Sequence, residues 1–276
     1  VNTRFAAHPG RLDDFDWPVT PADARQALDD FLAHRLANFG QYQDAIWTGE
    51  PWLYHARLSQ AMNMKLLDPR DVVRGAEKLW QAGKAPLEAT EGFIRQVIGW
   101  REYVWCLYWC WGADYRTRNA LSATLSVPPA FTGEATTEMA CVEATVAGLH
   151  ERAYGHHIQR LMVLGNLALT AGVDPWAMSE WMRVNFIDGA EWVMVPNVIG
   201  MALHADGGEM ATKPYASGGA YLNKMSDYCR GCRFDPKKRT GDDACLDRGG
   251  EAEQVARQHR EDHQGHVEQE PSDRDL

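Results

Sequence analysis

The sequence predicts an all-α fold, and three observations support this prediction. Apolar residues recur at helical spacing along most of the chain between residues 20 and 185. The stretches that carry this pattern are bounded by residues that commonly begin or end helices. Strand signals are nearly absent, because alternating runs are few and no Asn-Gly or Asp-Gly turn joins two of them. With 276 residues, 45% of them hydrophobic, the chain can bury a sizeable core.

Two helices are predicted in the first third of the chain. The first begins at Thr20, a typical N-cap residue followed by proline, and ends at Gly40. The second begins at Asp68, again followed by proline, and ends at Gly83.

Four further helices are predicted in the middle of the chain. Residues 86–112 form a long apolar segment that we expect to be central, and residues 134–149 form the next helix. Residues 153–172 are expected to form a buried helix, and Asp174 begins another with an Asp-Pro cap.

The last 31 residues differ in composition from the rest of the chain. Residues 246–276 contain two Leu, two Val and no aromatic residue, which is too little apolar surface to order a segment. We therefore predict one helical domain over residues 1–245, followed by a disordered or aberrant polar tail. No run of eighteen apolar residues occurs and the N-terminus lacks a hydrophobic signal region, so we expect a soluble, cytoplasmic protein outside the membrane.

Three of the six cysteines lie in the stretch "YCRGCRFDPKKRTGDDAC", residues 228–245. The two-residue gap between Cys229 and Cys232 lets both thiolates face one metal centre, as in zinc sites and iron-sulfur clusters, and Cys245 supplies a third. The fourth ligand has to be a histidine or one of the remaining cysteines, Cys106, Cys110 and Cys141. Spacing alone does not separate zinc from iron.

The same stretch is strongly basic in an otherwise acidic chain. Residues 230–239 carry five basic and one acidic residue, against a net charge of −10 for the whole sequence. Three interpretations of these cations are open: they offset the charge of the thiolates, they contact phosphate, or they form a solvated loop.

Several long motifs resemble one protein family. These are "QVIGWREYVW", "YGHHIQRLMVLGNLAL", "MATKPYASGGAYLNKMSDYCRGC" and "DPKKRTGDDAC". Over residues 10–245 the chain resembles the iron-sulfur bacterial cryptochromes and photolyases, the prokaryotic (6-4) photolyase group. The resemblance implies a helical domain that binds FAD, a 4Fe-4S cluster with Cys141 as its fourth ligand, and repair of (6-4) lesions in ultraviolet-damaged DNA by a monomer. Cys106 and Cys110 are then expected to be small buried hydrophobic residues.

The resemblance also implies the residues that contact FAD: Tyr42, Leu58, Ser59, Arg101, Glu102, Asp188 and Asn197. Tyr42, Leu58 and Ser59 are expected at the diphosphate, where a hydroxyl and backbone N–H groups suit phosphate oxygens. Arg101 is expected near the flavin, and Asn197 is expected to face flavin N5, where an amide tunes the electronics of the ring.

Catalytic and DNA-binding residues follow from the same resemblance. His156 and His157 match the histidines beside the lesion, with His157 the expected proton donor, and Trp181 matches a tryptophan that relays electrons. The residues expected to contact DNA are Gln96, Trp100, Lys213, Tyr215, Lys237, Lys238 and Arg239.

Three departures from the family pattern stand out. The chain begins after the usual N-terminal antenna domain, "PPAFTGEATTEMAC" lacks a tryptophan of the electron relay, and no aromatic segment follows Cys245. These differences are expected of a truncated or frameshifted reading frame, or of a natural divergent tail. The predicted function is light-dependent DNA repair. The alternatives are a cryptochrome-like blue-light photoreceptor without repair activity and a zinc-stapled DNA-binding module.

Overall fold

The protein is described here by a computed structural model that covers residues 3–5, 8, 10, 12, 13, 15–238 and 241–245. The predicted tail, residues 246–276, lies outside these described residues. Within them the α-helices are α1 Pro21–His34, α2 Leu36–Tyr42, α3 Ser59–Asn63, α4 Pro69–Gln81, α5 Leu87–Ile94, α6 Glu102–Trp111, α7 Pro129–Thr132, α8 Ala140–Arg152, α9 Asn166–Ala171, α10 Pro175–Asn185, α11 Glu191–Met194 and α12 Gly219–Met225.

The prediction of an all-α fold is confirmed. The described part of the chain contains no β-strand, and only isolated bridges such as that between Leu125 and Val173 occur. In the same part of the chain no helix is long and apolar enough to cross a bilayer.

The predicted caps at three helix starts are also confirmed. At α1 the Thr20 hydroxyl accepts the Asp23 N–H at 3.2 Å, while the Asp23 carboxylate accepts the Thr20 N–H at 3.0 Å. Asp68 and Asp174 cap α4 and α10 by accepting backbone N–H groups at 2.8 Å.

Two predicted boundaries are wrong. The helix predicted to end at Gly40 breaks at Arg35, and Gly40 lies inside α2. A Cβ atom at Gly40 would lie 2.8 Å from the Cα of Ala89, so this glycine permits close packing of α2 on α5 rather than ending a helix. The helix predicted from residue 134 begins only at Ala140, after a turn.

Three π-helical segments interrupt the longer helices. They are π1 Arg95–Arg101, π2 Gln159–Gly165 and π3 Val195–Ala202. The predicted helix over residues 86–112 is therefore built as α5, π1 and α6 in succession. Such segments are uncommon and frequently occur at functional sites, because the extra residue per turn redirects side chains.

The buried apolar residues form two clusters. The smaller contains residues of α1 to α5 and π1, and the larger contains residues of α8 to α12 with π2 and π3. Phe93 and Val97 of the smaller cluster and Leu161 and Val198 of the larger one line the same cavity. The cavity therefore lies between the two cores, and each π-helical segment contributes to its wall.

Candidate functional site

The main cavity has a volume of about 580 Å³, within the usual range for sites that hold a cofactor or a small molecule. Many side chains that the sequence assigned to FAD, catalysis or DNA line it: Leu58, Ser59, Gln96, Trp100, Arg101, His156, His157, Asp188, Asn197 and Tyr215. Segments more than a hundred residues apart in sequence thus converge on one site.

One wall of the cavity holds a buried ion pair. Arg160 Nη1 donates to Asp188 Oδ1 at 2.8 Å, and the Ser59 hydroxyl donates to Asp188 Oδ2 at 2.6 Å. Burial raises the pKa of Asp188, but the ion pair with Arg160 and the Ser59 hydrogen bond outweigh it, and the net shift is downward. Asp188 is therefore ionised, with a partner on each carboxylate oxygen.

A second polar group contains the predicted Arg101. Its Nη1 donates to Asn63 Oδ1 at 2.6 Å, and Asn63 Nδ2 donates to the Asp188 carbonyl at 3.0 Å. The guanidinium also lies 4.8 Å from the Trp192 ring centroid. A guanidinium has five N–H donors and stays charged, so Arg101 can bind an anionic or carbonyl group of a ligand while it keeps the contact with Asn63.

The two predicted histidines occupy different environments. His156 is buried and its ring stacks on His55, with centroids 3.7 Å apart and planes 10° apart. Burial lowers the pKa of both stacked histidines, His55 and His156, and that of His55 falls to about 4. His157 is accessible through the cavity, yet the surrounding protein lowers its pKa, mainly by desolvation and further through Arg160. His156 is therefore a neutral wall residue, whereas His157 can reach a ligand.

Asn197 is positioned by π3. Its Nδ2 donates to the Val193 carbonyl at 2.8 Å, which fixes the amide against the helix. A primary amide has a further N–H and a carbonyl oxygen, so Asn197 keeps hydrogen-bonding capacity for a ligand in the cavity.

The predicted Tyr42, Glu102, Trp181 and Lys213 are not among the residues that line the cavity. Tyr42 stacks on Tyr54 with centroids 5.1 Å apart, and Glu102 and Lys213 are exposed. Trp181 lies behind the wall: its ring is 6.4 Å from that of Phe186, which in turn packs under Arg160 at 4.2 Å.

The ring of Phe131 also packs against that of Trp181, with the two ring centroids 5.4 Å apart. This phenylalanine belongs to the "AFTGE" stretch in which the family pattern leads one to expect a tryptophan. Phenylalanine is harder to oxidise than tryptophan, so the pair is a poor continuation of an electron relay.

The four cysteines predicted to bind a cluster come from two parts of the chain. Cys141 is buried near the start of α8, and Cys229, Cys232 and Cys245 lie partly buried on the loop after α12. Burial raises the pKa of Cys141 to about 12, and the three other thiols raise it further, as expected of neighbours. Cys141 and Cys245 both line a small cavity of about 20 Å³.

Gly219 leaves room beside Cys245 for the loop over residues 226–245, here called the thiol loop. A Cβ atom there would lie 2.7 Å from Cys245 Sγ and 3.0 Å from Pro236 Cα. Among the described residues no three or more His, Cys, Asp or Glu side chains are close enough to hold a single metal ion. Thiolates are ligands of both zinc sites and iron-sulfur clusters, so the four cysteines are candidate ligands of either.

Most basic residues of the thiol loop have partners within the chain. Arg233 pairs with Glu138, Lys238 pairs with Asp243, and Arg230 lies over the Trp47 ring. Lys237 is exposed, and Arg239 lies outside the described residues.

Curated proteins match the chain, whereas no protein-family model matches it. It is 48% identical over 246 residues to a protein named "(6-4) photolyase" from Agrobacterium fabrum, which covers 89% of this chain and 48% of that protein. It is 38% identical over 66 residues to uncharacterized protein R855 of Acanthamoeba polyphaga mimivirus, covering 24% of this chain and 54% of the other. The chain thus spans about half the length of these curated relatives.

Solved structures show the same fold. A bacterial class III photolyase from Agrobacterium tumefaciens superposes with a TM-score of 0.67 at 17% identity, covering 95% of this chain and 61% of that one. A cryptochrome from Synechocystis gives a TM-score of 0.56 at 16% identity, covering 69% and 41% respectively.

The chain belongs to the photolyase and cryptochrome family. Sequence reasoning had identified this family but missed many residues of the cavity wall, among them His55, Asn63, Arg160 and Trp192. Two of them carried a local signal. Arg160 follows His157 by three residues and Asn63 follows Ser59 by four, spacings that place side chains on one helix face.

Proposed function

We propose that the chain is the catalytic part of a light-dependent (6-4) photolyase, with FAD in the main cavity and ultraviolet-damaged DNA as substrate. One observation carries this proposal: the cavity brings His156 and His157 together with Arg101, Asp188 and Asn197. The relative that is 48% identical across most of the chain is named as this enzyme, which supports the same reading.

The cavity residues suit the parts of a dinucleotide cofactor. Arg101 supplies positive charge, the Arg160 and Asp188 pair supplies fixed polar groups, and Asn197 supplies an amide. Reduced FAD excited by light supplies the electron that starts cleavage of the lesion. The protein orients the cofactor and excludes water from it.

His157 is the proposed proton donor to the lesion. It is accessible through the cavity, whereas His156 is buried against His55. The lowered pKa of His157 makes it neutral at pH 7 in the ligand-free chain. DNA phosphates bring negative charge close to the imidazole, which raises its pKa and favours the protonated form needed for a donor.

The surface around the cavity suits an extruded base. Trp100 and Tyr215 are exposed and also line the cavity, as does the Gln96 amide on π1. Aromatic faces stack on unpaired bases, and Lys213 and Lys237 are exposed cations that can contact phosphate. A monomeric enzyme with DNA as its only macromolecular partner remains the prediction.

We further propose that Cys141, Cys229, Cys232 and Cys245 bind a 4Fe-4S cluster. The cluster would join α8 to the loop after α12, and the neighbouring Arg230 and Arg233 would offset the charge of the thiolates. Zinc is the alternative metal for these four cysteines, and the metal content of the protein decides between zinc and iron.

Light-dependent loss of (6-4) lesions from an oligonucleotide, with an absorption spectrum of the same sample, tests the proposed function. We expect flavin bands, repair in the wild type, and at least about a hundredfold loss of repair in His157→Ala because general acid catalysis contributes at least that factor. A control variant at the exposed His34 should repair normally. A protein that binds flavin but repairs no lesion would favour the photoreceptor, and normal repair in His157→Ala would remove this histidine from the mechanism.

A further inference from the structure

Two cysteines outside the proposed cluster form a pair on the outer face of α6. Sequence reasoning placed Cys106 and Cys110 in the core, which is wrong, because both are exposed. They are four residues apart, a spacing that places both side chains on one helix face. The two sulfur atoms lie 3.7 Å apart.

This geometry does not suit a disulfide. A disulfide needs an S–S distance of about 2.05 Å and a Cβ–Cβ distance of about 3.8 Å. Residues at this spacing on an α-helix have Cβ atoms about 5–6 Å apart, so closing the bond would distort α6.

The same geometry suits two ligands of one metal ion. A tetrahedral ion with metal–sulfur distances of about 2.3 Å holds its sulfur ligands about 3.8 Å apart. The sulfurs of Cys106 and Cys110 already lie at that separation on a regular helix, so binding needs no movement of the backbone.

We propose that Cys106 and Cys110 form a surface site for a soft, tetrahedral metal ion of the Zn²⁺ or Cd²⁺ class, with solvent at the remaining positions. Thiolates select such ions over Mg²⁺ or Ca²⁺. Binding replaces two S–H bonds by two metal–sulfur bonds and releases two protons. The site is independent of FAD and DNA.

Titration with Co²⁺ and Cd²⁺ tests the proposal in protein whose other metal content is left intact. The wild type should bind one more equivalent of Cd²⁺ than Cys106→Ser/Cys110→Ser, and Co²⁺ should give a thiolate charge-transfer band that the double variant lacks. Since losing even an indirect partner of a metal site costs about 10–100-fold in affinity, each single serine variant should bind at least about 100-fold more weakly.

A second measurement separates this site from the four other thiols. Bound Cd²⁺ should protect two more thiols from an aromatic disulfide reagent in the wild type than in the double variant. Circular dichroism should be unchanged, since both substituted side chains are exposed. Equal metal uptake and equal thiol protection in wild type and double variant would overturn the proposal, as would a disulfide between the two cysteines in the protein as isolated.

Discussion

The main cavity and the thiol loop over residues 226–245 are held together in different ways. In the cavity, polar groups from helices and from the turn between α10 and α11 contact each other, as Arg160 does with Asp188 at 2.8 Å and Arg101 with Asn63 at 2.6 Å. After α12, by contrast, no further helix occurs in the described residues. Backbone bonds hold the loop, such as that from the Asp235 N–H to the Asp243 carbonyl at 2.7 Å, together with ion pairs such as that of Arg233 with Glu138.

This difference indicates which of the two regions depends on a bound ligand for its structure. In the cavity Arg160 is paired with Asp188 and Arg101 with Asn63, so binding of a cofactor beside these groups should need little reorganisation of them. The loop brings partly buried thiols together, and the pKa of Cys229 is raised by burial and by Cys245 and Cys232. Folding of such a segment would be coupled to binding of the proposed cluster. We therefore expect loss of the proposed cluster to loosen the loop while leaving the cavity formed.

Removing Cys141 should have the largest effect and should test most clearly the contrast between the main cavity and the thiol loop. In Cys141→Ala the proposed cluster loses its only ligand outside the loop. We expect iron and labile sulfide to fall from about four atoms each per chain to a small fraction of that, because an incomplete ligand set does not retain the cluster. Limited proteolysis should then cut the chain at Arg230 or Arg233.

Val146→Ala is the matched control for this variant. Val146 lies on α8 and is buried like Cys141, so both substitutions open a small space in the same helix. The control should lower the free energy of unfolding by about 2 kcal/mol and keep its iron. Equal iron content in the two variants would show that Cys141 is not a ligand.

The same contrast explains what the sequence could predict. The proposed metal ligands Cys229 and Cys232 were accessible to sequence reasoning because two thiols separated by two residues have few other uses. The contact of Arg101 with Asn63 was not, since the two residues come from separate helices and no pattern along the chain specifies which side chains meet. Cys106 and Cys110 were misplaced because a nearly all-apolar segment suggested burial, whereas α6 exposes much of its surface.

Breaking the buried ion pair of the cavity should have the next largest effect. In Arg160→Ala the Asp188 carboxylate stays buried without its cation, which costs about 3–5 kcal/mol of stability when one partner of such a pair is removed. The Arg160 and Asp188 side chains are only 18% and 9% exposed. Urea unfolding at pH 7 measures the loss.

The exposed pair of Arg95 and Glu91 provides the comparison. These side chains are 72% and 51% exposed, so Arg95→Ala should cost less than about 1 kcal/mol. The wild-type advantage over Arg160→Ala should also shrink in acid: the folded-state pKa of Asp188 lies below its ordinary 3.8, so its contribution is lost as the pH falls below that value. Equal losses in both arginine variants would mean that the cavity pair is no better shielded than the surface pair.

The smallest expected effect concerns the stacked histidines and appears only in acid. Burial lowers the pKa of His55 from 6.5 to about 4, so between these values the unfolded chain binds a proton that the folded chain does not. Stability should therefore fall by about 2 kcal/mol from pH 7 to pH 5 because of His55 alone. His55→Phe keeps a ring against His156 but cannot titrate, so its unfolding free energy should fall less steeply over this range. Near pH 7 the unfolding free energies of the wild type and His55→Phe should change with pH at nearly the same rate, because the imidazoles of His55 and His156 are neutral there. Parallel pH profiles down to pH 5 would show that His55 is solvated in the folded state.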